Sequence, residues 1–111
     1  MQIDEQRHGG VTVLRARGAI AGEDASDYAT RLDRVAREAL GRIVLDMSGV
    51  PYVDSAALES ILGTGDVLAG MGRSIKLCCV NETLREVLDL TGVGSSVEQF
   101  ESVPDAVRSF L

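Results

Sequence analysis

The chain has 111 residues, 45% of them apolar, and a formal net charge of −6, with a sequence pI near 4.6. That length is enough to bury one hydrophobic core, and it predicts a single soluble domain over residues 1–111. The acidic balance argues against nucleic acid and anionic membrane surfaces as partners, since both need clustered Lys and Arg.

Met1 to Gln6 lack the basic start and apolar stretch of a secretory signal, and no apolar run approaches membrane-spanning length. A cytoplasmic location without direct membrane insertion is therefore expected. Residues 2–7 alternate weakly around Ile3, and 11–16 carry Val11, Val13 and Leu14. The intervening His8-Gly9-Gly10 reads as a hairpin turn with His8 exposed in it. After a loop over Gly18-Ala19-Ile20-Ala21-Gly22, Asp24 is in position to cap a helix running to about Leu40. Ala25, Tyr28, Leu32, Val35, Ala36 and Ala39 recur on one face of it, and Gly41 ends it.

Ile43–Met47 and Ile75–Val80 are the most continuously apolar runs, the signature of strands covered on both faces. With a helix from about Ser55 to Met71 between them, they form a strand, helix, strand unit whose strands should be parallel neighbours. Asn81 is expected to cap a short helix with Leu84, Val87, Leu88 and Thr91 inward and Gly92 closing it. Val97–Phe100 reads as a final short strand. Ser102 then caps a last helix, with Pro104 in its first turn and Val107, Phe110 and Leu111 inward. The fold class is α/β: one mixed sheet of about four to five strands with about four helices.

The segment from Arg42 to Leu58 carries the chemistry. After Asp46 it passes Gly49, Pro51 and Tyr52 and reaches Asp54-Ser55, where the helix begins. Amides at a helix N-terminus are unpaired and partly positive. A Ser there can cap the helix, and it could also hold a phosphate; residue type alone leaves both open, and Asp54 is equally suited to be only a cap. The helix itself is unusual. Leu58, Ile61, Leu62, Gly65, Leu68 and Ala69 form a core stripe, while Ala56, Ser60, Gly63, Val67 and Met71 make a second ridge without a charge. Exposed helical positions usually hold Lys or Glu, and an interior glycine costs about 1 kcal/mol relative to alanine. Either the ridge is a docking surface for a protein, or that face is buried.

Ile43-Val44-Leu45-Asp46, Tyr52-Val53-Asp54-Ser55-Ala56-Ala57-Leu58, Gly72 before Ile75-Lys76-Leu77, and Leu84 with Leu88-Asp89-Leu90-Thr91-Gly92-Val93 resemble STAS domains of the anti-sigma factor antagonist family. The resemblance covers nearly the whole chain and is most specific at the Asp-Ser segment. It implies a non-catalytic bacterial regulator of sigma-factor-dependent transcription. Its partner would be an anti-sigma factor with ATP-dependent serine kinase activity, which phosphorylates the residue matching Ser55 and thereby releases the antagonist, and a phosphatase would reset it. Asp54, Ser55, Ala56, Ser60, Gly63 and Val67 become the expected partner-binding residues. Two departures stand out. Ala56 and Ala57 replace the family's usual Ser or Thr followed by Gly, and Gly18-Ala19-Ile20-Ala21 replaces Gly-Glu-apolar-Asp, whose acids help engage the kinase. The alternative is a phosphorylation-independent STAS subunit of a transporter or signalling scaffold.

Other classes fit poorly. A receiver domain would need paired acids after its first buried strand and a Lys after a later one. An acyl carrier protein is all-helical. A serine hydrolase needs a base, but the only His is His8 and there is no Gly-x-Ser-x-Gly elbow. Adjacent Cys78 and Cys79 should point to opposite faces of a strand, as buried small hydrophobes. No metal or cofactor is expected, and nothing specifies an oligomeric state.

Overall fold

The computed structural model describes residues 1–90 and 97–111. Five strands, β1 (Gln2–His8), β2 (Val11–Arg17), β3 (Ile43–Asp46), β4 (Ile75–Cys78) and β5 (Val97–Phe100), lie in sequential order in one sheet. β1 and β2 are antiparallel; β2, β3, β4 and β5 run parallel. Four helices connect or cover them: α1 (Glu23–Glu38), α2 (Ser55–Ala69), α3 (Glu82–Leu90) and α4 (Val103–Arg108). The expected mixed α/β architecture is the one observed.

The unbroken apolar runs of β3 and β4 reflect burial on both faces, every residue of both strands being buried. One face carries Leu14, Ala16, Ile43, Leu45, Ile75 and Leu77 into the main core with Tyr28, Leu32, Ile61 and Leu68 from α1 and α2. On the other, Val11, Val13, Val44 and Cys78 pack with Ala106 of α4, and Phe100 and Phe110 close the edge. The parallel register also lines up Arg15, Asp46, Cys78 and Phe100 in one transverse row, each paired with the next across a strand boundary. Strand alternation puts that row on the α4 side. Among the described residues β1 has no partner on its outer side, and it is largely exposed and carries Asp4, Glu5 and Arg7, which discourages further strand pairing there.

Several local expectations are revised. The hairpin turn is Gly9-Gly10 alone, with Gly9 at φ +65°, and His8 is the last residue of β1, opposite Val11. Gly22, not Asp24, is the N-cap of α1, and no side chain caps that end. The helix starts two residues earlier than an Asp24 cap implies, so Asp24 falls in the first turn, where it accepts a hydrogen bond from the Met1 ammonium at 3.5 Å. Leu40 and Gly41 are both left-handed, with φ +53° and +80°. A Cβ on Gly41 would be strained at that φ and would lie 2.7 Å from Arg73 Cδ, so glycine is favoured there.

In α2 the buried face is Ala57, Ile61, Gly65 and Leu68, while Leu58 and Leu62 are half-buried and Ala69 is exposed. A step from 68 to 69 turns about 100° round the helix, which carries Ala69 off the core. Val87 of α3 and Leu111 after α4 are exposed, the latter fully, while Leu84, Leu88 and Ala106 are the residues of these helices that are buried. The caps Asn81 and Ser102 occupy their expected places, accepting from Leu84 N–H at 2.8 Å and Asp105 N–H at 3.2 Å. The expected roles of Thr91 and Gly92 lie outside the described residues.

Candidate functional site

The site forms where the segment after β3 meets the loop after β2. Gly18 N–H donates to Gly49 O at 2.9 Å and Ile20 N–H to Tyr52 O at 2.9 Å, while Asp54 N–H donates to Ile20 O at 3.0 Å. Ile20 and Val53 form an isolated parallel bridge. The two loops thus continue the β2–β3 pairing beyond the strands, and fully buried Ile20 pins them to the core. A third loop joins through Asn81, whose amide donates to Pro51 O at 3.1 Å while its oxygen caps α3.

Asp54 is both cap and staple. Its Oδ1 accepts from Ala57 N–H at 2.9 Å, and its Oδ2 accepts from Gly22 N–H, also at 2.9 Å. One carboxylate therefore joins the N-terminus of α2 to the N-terminus of α1. The Ala57 and Gly22 amides hold Asp54 below the usual carboxylate range, since hydrogen bonds to the charged form favour it. The cap is therefore Asp54, and Ser55 is the first helical residue. Ser55 is exposed, and its hydroxyl is not the group that satisfies the helix end.

From Ser55 the uncharged ridge runs down the outside of α2. Ala56, Gly63, Val67 and Met71 are exposed and Ser60 half-buried, with Val67 at 67% and Met71 at 59%. The reading in which this face is buried is thereby excluded. Ser60, Gly63, Val67 and Met71 form one wall of a groove of about 340 Å³ whose other wall is α1, at Ala29 and Ala36. Ser60 directs its hydroxyl to its own helix, donating to Ala56 O at 3.0 Å, which further lowers the polarity of the surface. A Cβ on Gly63 would meet nothing within 4 Å, so packing inside the domain does not require glycine there. The contribution of α1, with Asp33 and Arg37 at the rim, was not anticipated from the α2 pattern. No pattern within α1 marks it, because the wall exists only where α1 and α2 lie side by side.

The structure brings Asp54, Ser55 and Ala56 together at the head of this ridge, with exposed Tyr52 beside them on the preceding segment. Ala19 and Ala21, at the positions where the resemblance leads one to expect acids, flank Ile20 in the loop bound to Asp54. His8 lies in β1 and belongs to none of the hydrogen bonds that build the site. Among the described residues no helix is long and apolar enough to cross a membrane.

Known proteins share this fold. A curated relative, the anti-sigma F factor antagonist of Paenibacillus polymyxa, is 27% identical over 94 residues, covering 84% of this chain and 80% of its own. The crystal structure of an anti-sigma factor antagonist from Mycobacterium paratuberculosis superposes with a TM-score of 0.83 at 21% identity, over 97% of this chain and 92% of that one. The Bacillus cell fate determinant SpoIIAA in its phosphorylated form superposes with a TM-score of 0.75 at 15% identity, over 99% and 100% of the two chains. The STAS domain model matches residues 2–106, almost the entire chain, and the protein belongs to the STAS domain family.

Proposed function

We propose that this STAS domain is an anti-sigma factor antagonist. It acts without catalysis, binding an anti-sigma factor with serine kinase activity through Asp54, Ser55, Ala56, Ser60, Gly63 and Val67, and phosphorylation of Ser55 switches it off. The observation that carries this reading is the division of labour at the head of α2. Asp54 takes the capping role, which leaves an exposed Ser55 hydroxyl at the start of an uncharged, exposed ridge. A kinase can reach that hydroxyl without opening the helix.

The switch follows from charge. A phosphoryl group adds about −1.5 to −2 charges at pH 7. At a helix N-terminus the partly positive amides tolerate it in the free domain. In a complex the same charge has to be desolvated beside Asp54 against a surface fitted to a neutral hydroxyl. A loss of about 3 kcal/mol lowers affinity roughly a hundredfold, which releases the partner with the fold intact. Replacement of the family's loop acids by Ala19 and Ala21 moves recognition onto Tyr52 and the α1–α2 groove, and a phosphatase restores the binding form.

The test is the intact mass of the protein from its native cells, with the modified residue located by fragmentation, alongside affinity capture with Ser55→Ala, Ser55→Asp and Val67→Glu. Phosphate on Ser55, with a kinase-bearing anti-sigma factor retained by Ser55→Ala and lost by the other two, is the expected result. An unmodified Ser55 in growth and stress alike, with capture indifferent to Ser55→Asp, would refute the switch.

A further inference from the structure

Cys78 and Cys79 are neighbours in sequence, and an extended chain would send their side chains to opposite faces. Cys78 ends β4 opposite Asp46 in the register. Cys79 is left-handed, with φ +65°, one of two such non-glycine residues among those described. That turn breaks the alternation, and both cysteines pack against the cluster under α4. The result is a compact donor set. The Sγ atoms of Cys78 and Cys79 and a carboxylate oxygen of Asp46 all lie within 4.8 Å of one another.

We propose that Asp46, Cys78 and Cys79 form a binding site for a thiophilic divalent cation of the zinc or cadmium class. Two sulfurs and one oxygen match the preference of these ions, which bind thiolate readily and complete a tetrahedron with a water. In a tetrahedral zinc site, bond lengths of about 2.3 Å to sulfur and about 2.1 Å to oxygen place donor atoms about 3.6–3.8 Å apart. Side-chain rotation of at most about 1 Å closes the present spacing to that value. Binding displaces one proton from each thiol to solvent, so two thiolates, the carboxylate and the Arg15 guanidinium carry a net charge of −2 that the divalent ion cancels. Arg15 bonds Asp46 Oδ2 through Nε at 2.7 Å, and the Ser48 amide bonds Oδ1 at 3.0 Å. These contacts orient the carboxylate and leave a lone pair on each oxygen, the outer-shell support typical of ligating carboxylates.

Cys79 is only half-buried, and its Sγ donates to Glu101 O at 3.5 Å, so it forms the solvent side of the site and the route by which an ion enters. Because Asp46 also holds Ser48 N–H, the ion would sit at the root of the segment that carries Ser55. A left-handed cysteine is costly backbone geometry, and gathering the two thiols gives it a function.

The test is titration of the reduced, metal-stripped full chain with cadmium ion alone, followed by thiolate-to-metal charge-transfer absorption and native mass. One ion per chain, saturating at micromolar cadmium, is expected. Cys79→Ser should weaken binding at least a hundredfold and remove most of the absorption, and Asp46→Asn should weaken it tenfold or more. Because Asp46 also supports Arg15, the Cys79→Ser result, with circular dichroism confirming the fold, decides the matter. Absence of saturable uptake, or uptake unchanged in Cys79→Ser, would overturn the site.

Discussion

Removing the guanidinium of Arg15 tests how the transverse row of the sheet is held. Asp46 is 1% exposed and Arg15 35% exposed at the side chain, and they meet at 2.7 Å. The two partners are therefore not equivalent. Arg15→Ala leaves a buried carboxylate with the Ser48 contact, whereas Asp46→Ala leaves a guanidinium that water already reaches. Breaking a fully buried pair costs about 3–5 kcal/mol, and partial exposure on the Arg15 side reduces this to about 2–3 kcal/mol for Arg15→Ala. Asp46→Ala should cost about 1–2 kcal/mol, chiefly for the lost charged hydrogen bond. For a domain of this size each kcal/mol lowers the melting temperature by about 4 °C.

The pH dependence gives the sharper check. Burial pushes the Asp46 carboxyl up, but the Ser48 amide and hydroxyl and then the Arg15 guanidinium outweigh it, so it titrates below the ordinary range. A depressed folded-state pKa contributes stability above the unfolded value of about 3.9, and this is lost as pH falls through the folded value. Without Arg15, two of the contacts that favour the charged form are gone, and the carboxyl titrates higher than in the intact domain. The variant's deficit is then complete at neutral pH and shrinks as acid protonates Asp46. Urea unfolding in the presence of a chelator, at about pH 7 and about pH 3, measures both deficits. An Arg15→Ala deficit that is the same at both values, or smaller than that of Asp46→Ala, would refute the argument.

Tyr28 lies fully buried in the core, and its hydroxyl has no hydrogen-bond partner among the described residues; burial pushes its titration far up. Tyr28→Phe should therefore stabilise the domain by about 1 kcal/mol in chemical denaturation, since it removes an unsatisfied buried hydroxyl, and a loss of that size would show that the hydroxyl is satisfied. Gly63→Ala meets no neighbour within 4 Å and should add about 1 kcal/mol through helix propensity. If the α1–α2 groove receives the partner, the same methyl should weaken capture of that partner, and higher stability with undiminished capture would move the interface elsewhere.

The chain itself determined what depends on neighbours in sequence. Apolar runs at Ile43 and Ile75 mark strands covered on both faces, the three- and four-residue recurrence from Ala25 to Ala36 marks a helix, and Asn81, Ser102 and Asp54 are caps because capping is a contact across about three residues. The head of α2 was legible for the same reason. The charge-free ridge was visible too, although whether it was buried or exposed was not.

Tertiary structure decided what depends on residues distant in the chain. Asp54 reaches Gly22 across 32 positions, and Arg15 reaches Asp46 across 31; no local pattern encodes either, because each arises only when parallel strands fall into register. The same holds for the α1 wall of the groove and for the exposure of Val87 and Leu111. Cys79 shows the limit most directly. Alternation describes an extended chain, and one left-handed residue cancels it, so the grouping of two adjacent thiols with Asp46 exists only in the folded backbone.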